Sequence, residues 1–179
     1  MRAFLAIPIP EDVAGDLIRL QSSVPFGRAV PEENLHLTLD FLEDAPEAAL
    51  EDLHDLMTGL RAGAVDIRFT GLDSFTEGAR GLVFAAVERT EALQALHDRI
   101  ASLCRAAGLD LPRRRFRPHV TLTRANHRPD GTARDRLTAS LGPVPGLLGF
   151  TARAVTLYQS SLTPRGAVHD PLVVYPLGG

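Results

Sequence analysis

The chain has no lysine and no tryptophan, and Cys104 is the only cysteine among its 179 residues. One cysteine excludes an intramolecular disulfide scaffold and suits a reducing compartment. Its place in a helical apolar pattern makes it a small core residue. Long apolar stretches are also missing: none approaches the roughly 20 residues that span a bilayer, so no membrane partner is expected. The opening residues, with Phe4, Leu5 and Ile7 interrupted by Pro8 and Pro10, are too short and proline-broken for a signal peptide, and a cytoplasmic protein is expected. A chain of this size removes roughly 70% of its unfolded surface on folding. One domain over residues 1–179 therefore needs no metal or disulfide staple.

The formal net charge is only −3, which gives no global attraction to nucleic acid. Its distribution is uneven. Ala29 to Leu60 holds nine acidic residues and no arginine, whereas Arg99 to Arg136 holds ten arginines against three aspartates. Such a basic tract can bind phosphates, and it can equally be a solvated face. Arginine replaces lysine everywhere, which we read as GC-rich codon usage rather than function.

Periodicity gives the elements. Ala3 to Ile7 predicts a strand, and Val13, Leu17, Leu20 and Val24 recur at helical spacing behind the acidic Glu11 and Asp12. Leu35 to Leu42 predicts a strand, followed by a helix from Pro46 through Leu50, Leu53, Met57 and Leu60. Val65, Ile67 and Phe69 alternate with polar residues, and Leu82 to Val87 is an apolar β-like run bounded by Gly78 and Gly81; these two segments are expected to pair. Thr90 caps a helix carrying Leu93, Leu96, Ile100 and Leu103, with Gly108 at its end. His119 to Thr123 predicts a strand, residues 126–149 at most one short helix, and Ala152 to Gln159 and Leu172 to Tyr175 two closing strands. This order argues for an α+β fold with largely antiparallel sheets. No P-loop or dinucleotide-binding glycine pattern occurs, which removes the commonest ATP- and NAD-dependent readings.

Two segments are alike: Leu35-His36-Leu37-Thr38-Leu39 and Pro118-His119-Val120-Thr121-Leu122, their histidines 83 residues apart. In a strand, His36 and Thr38 point to one face and the aliphatic residues to the other, and the same holds for His119 and Thr121. One histidine in a strand is more often structural than catalytic. Two copies in a half-repeat favour function, because a pseudo-twofold arrangement brings both imidazoles to one cleft. Histidine titrates near pH 6.5, so one ring can accept a proton while the other donates one. The threonine hydroxyls can hold phosphate oxygens between them.

These H-x-T-x motifs resemble those of the two-histidine (2H) phosphoesterase superfamily, most closely its RNA 2′,3′-cyclic phosphodiesterase branch, long called 2′-5′ RNA ligase. The likeness extends to Met1-Arg2-Ala3-Phe4-Leu5-Ala6, Pro31-Glu32-Glu33-Asn34, Phe41-Leu42, Phe116-Arg117 with Arg124, and Leu157-Tyr158-Gln159-Ser160 with Leu162. Arg28-Ala29-Val30 and Glu43 depart from the family pattern, which has an aromatic residue and a glycine there. The resemblance implies a bilobal, pseudo-twofold duplicated fold with two largely antiparallel sheets flanked by helices and a central active-site groove. It also implies hydrolysis of RNA 2′,3′-cyclic phosphate ends to 2′-phosphates without metal or other cofactor, and reversible 2′-5′ ligation; a monomer is expected. Carried over, His36 and His119 are the catalytic pair, with His119 as base and His36 as acid. Thr38 and Thr121 bind phosphate, Arg124 contacts phosphate or RNA, and Phe41 supports the terminal base. Partners would be RNA ends, tRNA fragments among them, or a small cyclic nucleotide; a noncatalytic RNA-end binder is the alternative from another class.

Strict alternation sets Arg124 on the face of Val120 and Leu122, away from His119, unless the strand ends or bulges near Thr123. Phe41 has the same problem relative to His36, and on periodicity alone it belongs to the core. The Arg113-Arg114-Arg115-Phe116-Arg117 cluster reads either as an RNA backbone contact or as a solvated loop. His54 and His97, each one position beyond a leucine on a helix, are expected at the boundary between core and surface, and His127 and His169 in polar or turn-like contexts. No HExxH, closely spaced His/Cys set or nucleophile elbow is present, so metal and serine-hydrolase chemistry have no sequence support.

Overall fold

In the computed structural model, residues 1–77, 80–112, 115–147, 149–164 and 166–178 are described. Strand β1 (Ala3–Pro8) is almost wholly buried and stops at the prolines. Helix α1 (Glu11–Ser22) follows, burying Val13, Ala14, Leu17 and Gln21. A two-residue strand β2 (Arg28–Ala29) and a single 3-10 turn at Glu32–Asn34 lead into β3 (His36–Leu42), and α2 (Glu47–Thr58) buries Leu50, Leu53 and Met57.

The second half repeats this order. Strands β4 (Val65–Ile67) and β5 (Phe69–Glu77) precede β6 (Arg80–Val87). Helix α3 (Glu91–Ala106) begins where the Thr90 hydroxyl accepts a hydrogen bond from the Leu93 amide at 3.2 Å, and it buries Leu93, Leu96, Ile100 and Cys104. Then come β7 (His119–Ala125), α4 (Gly131–Ser140), β8 (Phe150–Ala152), β9 (Ala154–Thr163) and β10 (Gly166–Pro176). Thus β1-α1-β3-α2 and β6-α3-β7-α4 are successive copies of one unit.

The main sheet runs β10-β9-β1-β3-β7-β6-β5, with β2 also on β7, and β4 and β8 form a second, two-stranded sheet. The pairings are antiparallel throughout, so the expected α+β class holds. The halves meet between β3 and β7, where the register is Leu37 opposite Val120. Both residues are fully buried, in a core shared with Leu17, Leu53 and Leu93 from the helices. Burying each such aliphatic side chain stabilises the fold by about 1.5–3 kcal/mol. The aliphatic positions of the two H-x-T-x segments therefore join the halves of the molecule.

One expected pairing is divided between two sheets. Phe69–Glu77 does pair with Arg80–Val87, but Val65–Ile67 pairs instead with Phe150–Ala152. The alternating run breaks near Gly71. Its φ is +148°, and a Cβ there would collide with the Gly142 carbonyl, which lies close because Leu72 and Gly142 exchange hydrogen bonds of 2.8 and 2.9 Å.

Candidate active site

The antiparallel register fixes the arrangement of the motif residues. With Leu37 opposite Val120, one step to either side sets His36 opposite Thr121 and Thr38 opposite His119. All four lie on the face away from the buried aliphatic residues. The two histidines are diagonal neighbours on adjacent strands, a relation that spaces residues roughly 7–8 Å apart. The structure thus brings both histidines and both threonines together.

Each imidazole is held from behind in the same way. His119 Nδ1 lies 2.7 Å from the Arg117 carbonyl, to which it donates, leaving Nε2 for the groove. His36 hydrogen-bonds the Asn34 carbonyl, also two residues upstream. Aromatic rings fill the remaining sides: Phe4 at 4.7 Å from His36, and Phe84 and Phe75 at 4.9 and 5.2 Å from His119. Burial, with His169 and then Arg124 nearby, pushes His36 down to about 4. Burial, and the charges of Arg124 and Arg117, lower His119. Both rings are therefore neutral in the free protein near pH 7.

Arg124 reaches this face because β7 bulges. Thr121 pairs with Phe84 and Thr123 with Val83, so Leu122 is an extra, unpaired residue. Strand β3 does the same: Thr38 pairs with Ala6 and Asp40 with Leu5, leaving Leu39 over. Two consecutive residues then face the core, Leu39 and Asp40 in one strand and Leu122 and Thr123 in the other. The next residues, Phe41 and Arg124, are returned to the histidine side. The alternation-based placement of Phe41 in the core is thereby corrected: it is 39% exposed and shares a cavity of about 650 Å³ with Thr38, His119, Thr121 and Arg124.

Among the described residues no acid is paired with Arg124. Burial and the charge of Arg2 lower its pKa, and its own charge lowers those of His36, His119 and His169. A cation amid three imidazoles and another arginine lacks the counter-charge that an anion would supply. Arg80, Arg105, Arg115 and Arg117 line the same cavity on the His119 side. Arg117 lies over the Phe75 ring at 4.4 Å and pairs with Asp73 at 2.5 Å, so part of the basic cluster borders the groove; Arg113 and Arg114 lie outside the described residues.

Two further histidines lie near the site, and one of them differs from the sequence reading. His169 sits within strand β10, not in a turn, and its ring stands edge-on to His36 at 5.2 Å and to Phe4 at 4.8 Å. No motif signals it, because β10 reaches the site only through its pairing with β9 and β9's with β1. His97 lies half-buried on α3, at the core boundary as expected, stacked on Phe116 at 4.0 Å, with Asp98 at 3.1 Å and the buried Asp40 at 3.7 Å. Among the described residues there is no group of three His, Cys, Asp or Glu side chains with the arrangement of a metal site.

Comparison with known proteins agrees with this geometry. Residues 9–163 match the model of the 2′-5′ RNA ligase superfamily. The RNA 2′,3′-cyclic phosphodiesterase of Thermus thermophilus is 32% identical over 195 residues, covering 100% of this chain and 91% of that protein. The protein of the same name from Geobacillus stearothermophilus is 28% identical over 98% of this chain, which spans 57% of that relative's length. Among solved structures, TT0787 of Thermus thermophilus superposes with a TM-score of 0.83 at 30% identity, covering 100% of this chain and 99% of the other. E. coli LigT complexed with 3′-AMP has the same fold, with a TM-score of 0.80 at 22% identity and coverages of 99% and 98%. The paired H-x-T-x strands, the fold around them and the match over most of its length make this chain a member of the 2′-5′ RNA ligase superfamily.

Proposed function

We propose that the protein is an RNA 2′,3′-cyclic phosphodiesterase that opens a terminal cyclic phosphate to a 2′-phosphate by paired-histidine acid-base catalysis. The observation that carries this reading is Arg124, without an acidic partner among the described residues, set beside two imidazoles, each anchored on a backbone carbonyl, at the junction of the half-repeats. The names of the relatives support the same substrate class.

The cyclic phosphate binds against Arg124 and the hydroxyls of Thr38 and Thr121. His119 accepts a proton from water as it attacks phosphorus, and the bond from phosphorus to the 3′ oxygen breaks. His36 protonates that departing oxygen, leaving a 3′-hydroxyl and a 2′-phosphate. His36 is neutral in the free protein, so it gains this proton in the complex. There the phosphate anion offsets the positive charge of Arg124 and favours the protonated ring. The same steps with a 5′-hydroxyl in place of water as the nucleophile give 2′-5′ ligation, and their reversal cleaves that linkage and re-forms the cyclic phosphate. Phe41 offers an exposed ring for the terminal base, and Phe75 with Arg80 and Arg117 continues the groove.

The test is to incubate the protein with a short RNA ending in a 2′,3′-cyclic phosphate, in the presence of a chelator, and to locate the phosphate of the product. A 2′-phosphate is expected. Formation of a 3′-phosphate, or activity only after a divalent cation is restored, overturns the proposal.

A further inference from the structure

The two half-sites match residue for residue in several respects. His36 corresponds to His119, Thr38 to Thr121, Asn34 to Arg117 as the carbonyl behind the ring, and Phe41 to Arg124. Next to the outer strand of each half, β1 or β6, lies one more strand, β9 in the first and β5 in the second. There the correspondence ends. The first half continues to β10, whereas β5 is the edge of the main sheet on the other side.

That extra strand brings a third imidazole to His36. Tyr158 and Phe4 stack at 5.1 Å with 14° between their planes, and His36 packs against both, 4.7 Å from Phe4 and 6.3 Å from Tyr158. His169 closes this cluster, edge-on to Phe4 at 80° and to His36 at 86°. The Asn34 side chain donates to the Ala167 carbonyl at 2.8 Å, tying β10 to the residue whose own carbonyl holds His36. Two connections therefore couple β10 to this ring. His169 itself is partly exposed, but its Nδ1 is buried and makes no hydrogen bond of normal geometry among the described residues. A buried polar atom without a good partner carries a cost that packing alone does not require, since a phenyl ring would fill the same space.

We propose that His169 is a positioning residue for His36: its ring edge fixes the His36 imidazole against Phe4, and its nitrogen-bearing ring makes the two half-sites unequal. The proposal rests on the assignment of His36 as one of the acid-base pair. The charged and titratable groups around His36 are His119 and Arg124 from β7 and His169 from β10, with Tyr158 of β9 in ring contact; Arg2 acts on both Arg124 and His169. All of the cationic neighbours oppose a proton on His36. Removing the His169 nitrogens removes one of them from a single half of the site.

The experiment compares the wild-type protein with His169→Phe, which keeps an aromatic ring, using two readouts. The first is the titration midpoint of the His36 Hε1 resonance, identified by its loss in His36→Ala. The second is turnover of an RNA 2′,3′-cyclic phosphate. The expected result is an upward shift of the His36 midpoint in His169→Phe, with kcat within about threefold of wild type because the ring edge remains, and in His169→Ala, which removes the ring, a fall in kcat of about 10- to 100-fold with KM changed less than about threefold, as misplacement of a catalytic group produces. An unmoved midpoint in His169→Phe overturns the proposal, as does wild-type kcat in His169→Ala. His169→Ala supplies the same titration readout if the phenylalanine variant does not fold. A wild-type protein without activity defeats the functional assignment instead, while the His36 titration still tests the contact between the rings.

Discussion

Phe41 and Arg124 occupy the same position in the two copies of the half-site, 83 residues apart, each two residues beyond an unpaired leucine. The bulge that turns one of them toward the groove turns the other as well. An apolar ring and a guanidinium thus face the same space from opposite halves, a division suited to a nucleotide with a base at one end and a phosphate at the other.

This division predicts distinct losses. Arg124→Ala is expected to reduce kcat/KM by about 10- to 100-fold, the range for removing a hydrogen bond to a charged group. Arg124→Lys should recover little, because an ammonium lacks the planar two-point geometry. Phe41→Ala should raise KM for RNA by roughly tenfold, as loss of one stacked base does, with kcat nearly unchanged. Steady-state kinetics on both variants check the assignment; a collapse of kcat in Phe41→Ala would show that the ring does more than stack.

His36→Ala and His119→Ala should each lower kcat by about two orders of magnitude or more, the contribution of one general acid or base. Far-UV circular dichroism should remain that of the parent. Near-full activity in either folded variant would mean that the reacting pair has been misassigned.

The pH dependence follows from the directions of the shifts. Both imidazoles are depressed in the free protein, His36 to about 4, and one of them must carry a proton during turnover. The profile of kcat/KM reports the free protein and that of kcat the complex. Accordingly, kcat/KM should be bell-shaped with its maximum below pH 6.5, and its alkaline limb should lie at lower pH than that of kcat. Binding of a 2′-phosphate product near pH 7 should take up protons, measurable by calorimetry in buffers of different ionisation enthalpy. Coincident alkaline limbs and no proton uptake would contradict a donor that is charged only in the complex.

His97 provides an opposite case, concerned with stability. Burial works against its proton, but the Asp40 and Asp98 carboxylates outweigh that and raise its pKa. A raised folded-state value stabilises below the unfolded value near 6.5 and loses that contribution as pH rises through the folded value. The stability difference between wild type and His97→Gln, from urea unfolding, should therefore be larger at pH 5.5 than at pH 8.5. Comparing the two proteins at each pH removes the depressed histidines, whose effect runs the other way. A difference independent of pH would leave His97 with only its packing on Phe116.

Much of the fold was legible in short-range pattern. The burial of Leu37, Leu39, Val120 and Leu122 and the helical faces of α1, α2 and α3 follow from periods of 2 and 3.6, and the structure agrees with them. Phe41 was misplaced because period-2 reasoning has no means of locating an extra residue. Both motif strands bulge at the same leucine, and only the pairing partners β1 and β6 reveal it. His169 was passed over for a related reason: its significance lies in a neighbour 133 positions earlier in the chain.

Local chemistry, then, was settled by the amino-acid order alone: two imidazoles, each beside a hydroxyl on a strand with an aliphatic back, in a duplicated unit. The tertiary structure decided which further side chains share their space. Strand register and bulges turned Arg124 and Phe41 inward, and a strand present in one half alone placed a third ring beside His36. Alternation is a property of a single strand, whereas register and sheet order depend on hydrogen bonds between segments far apart in the chain.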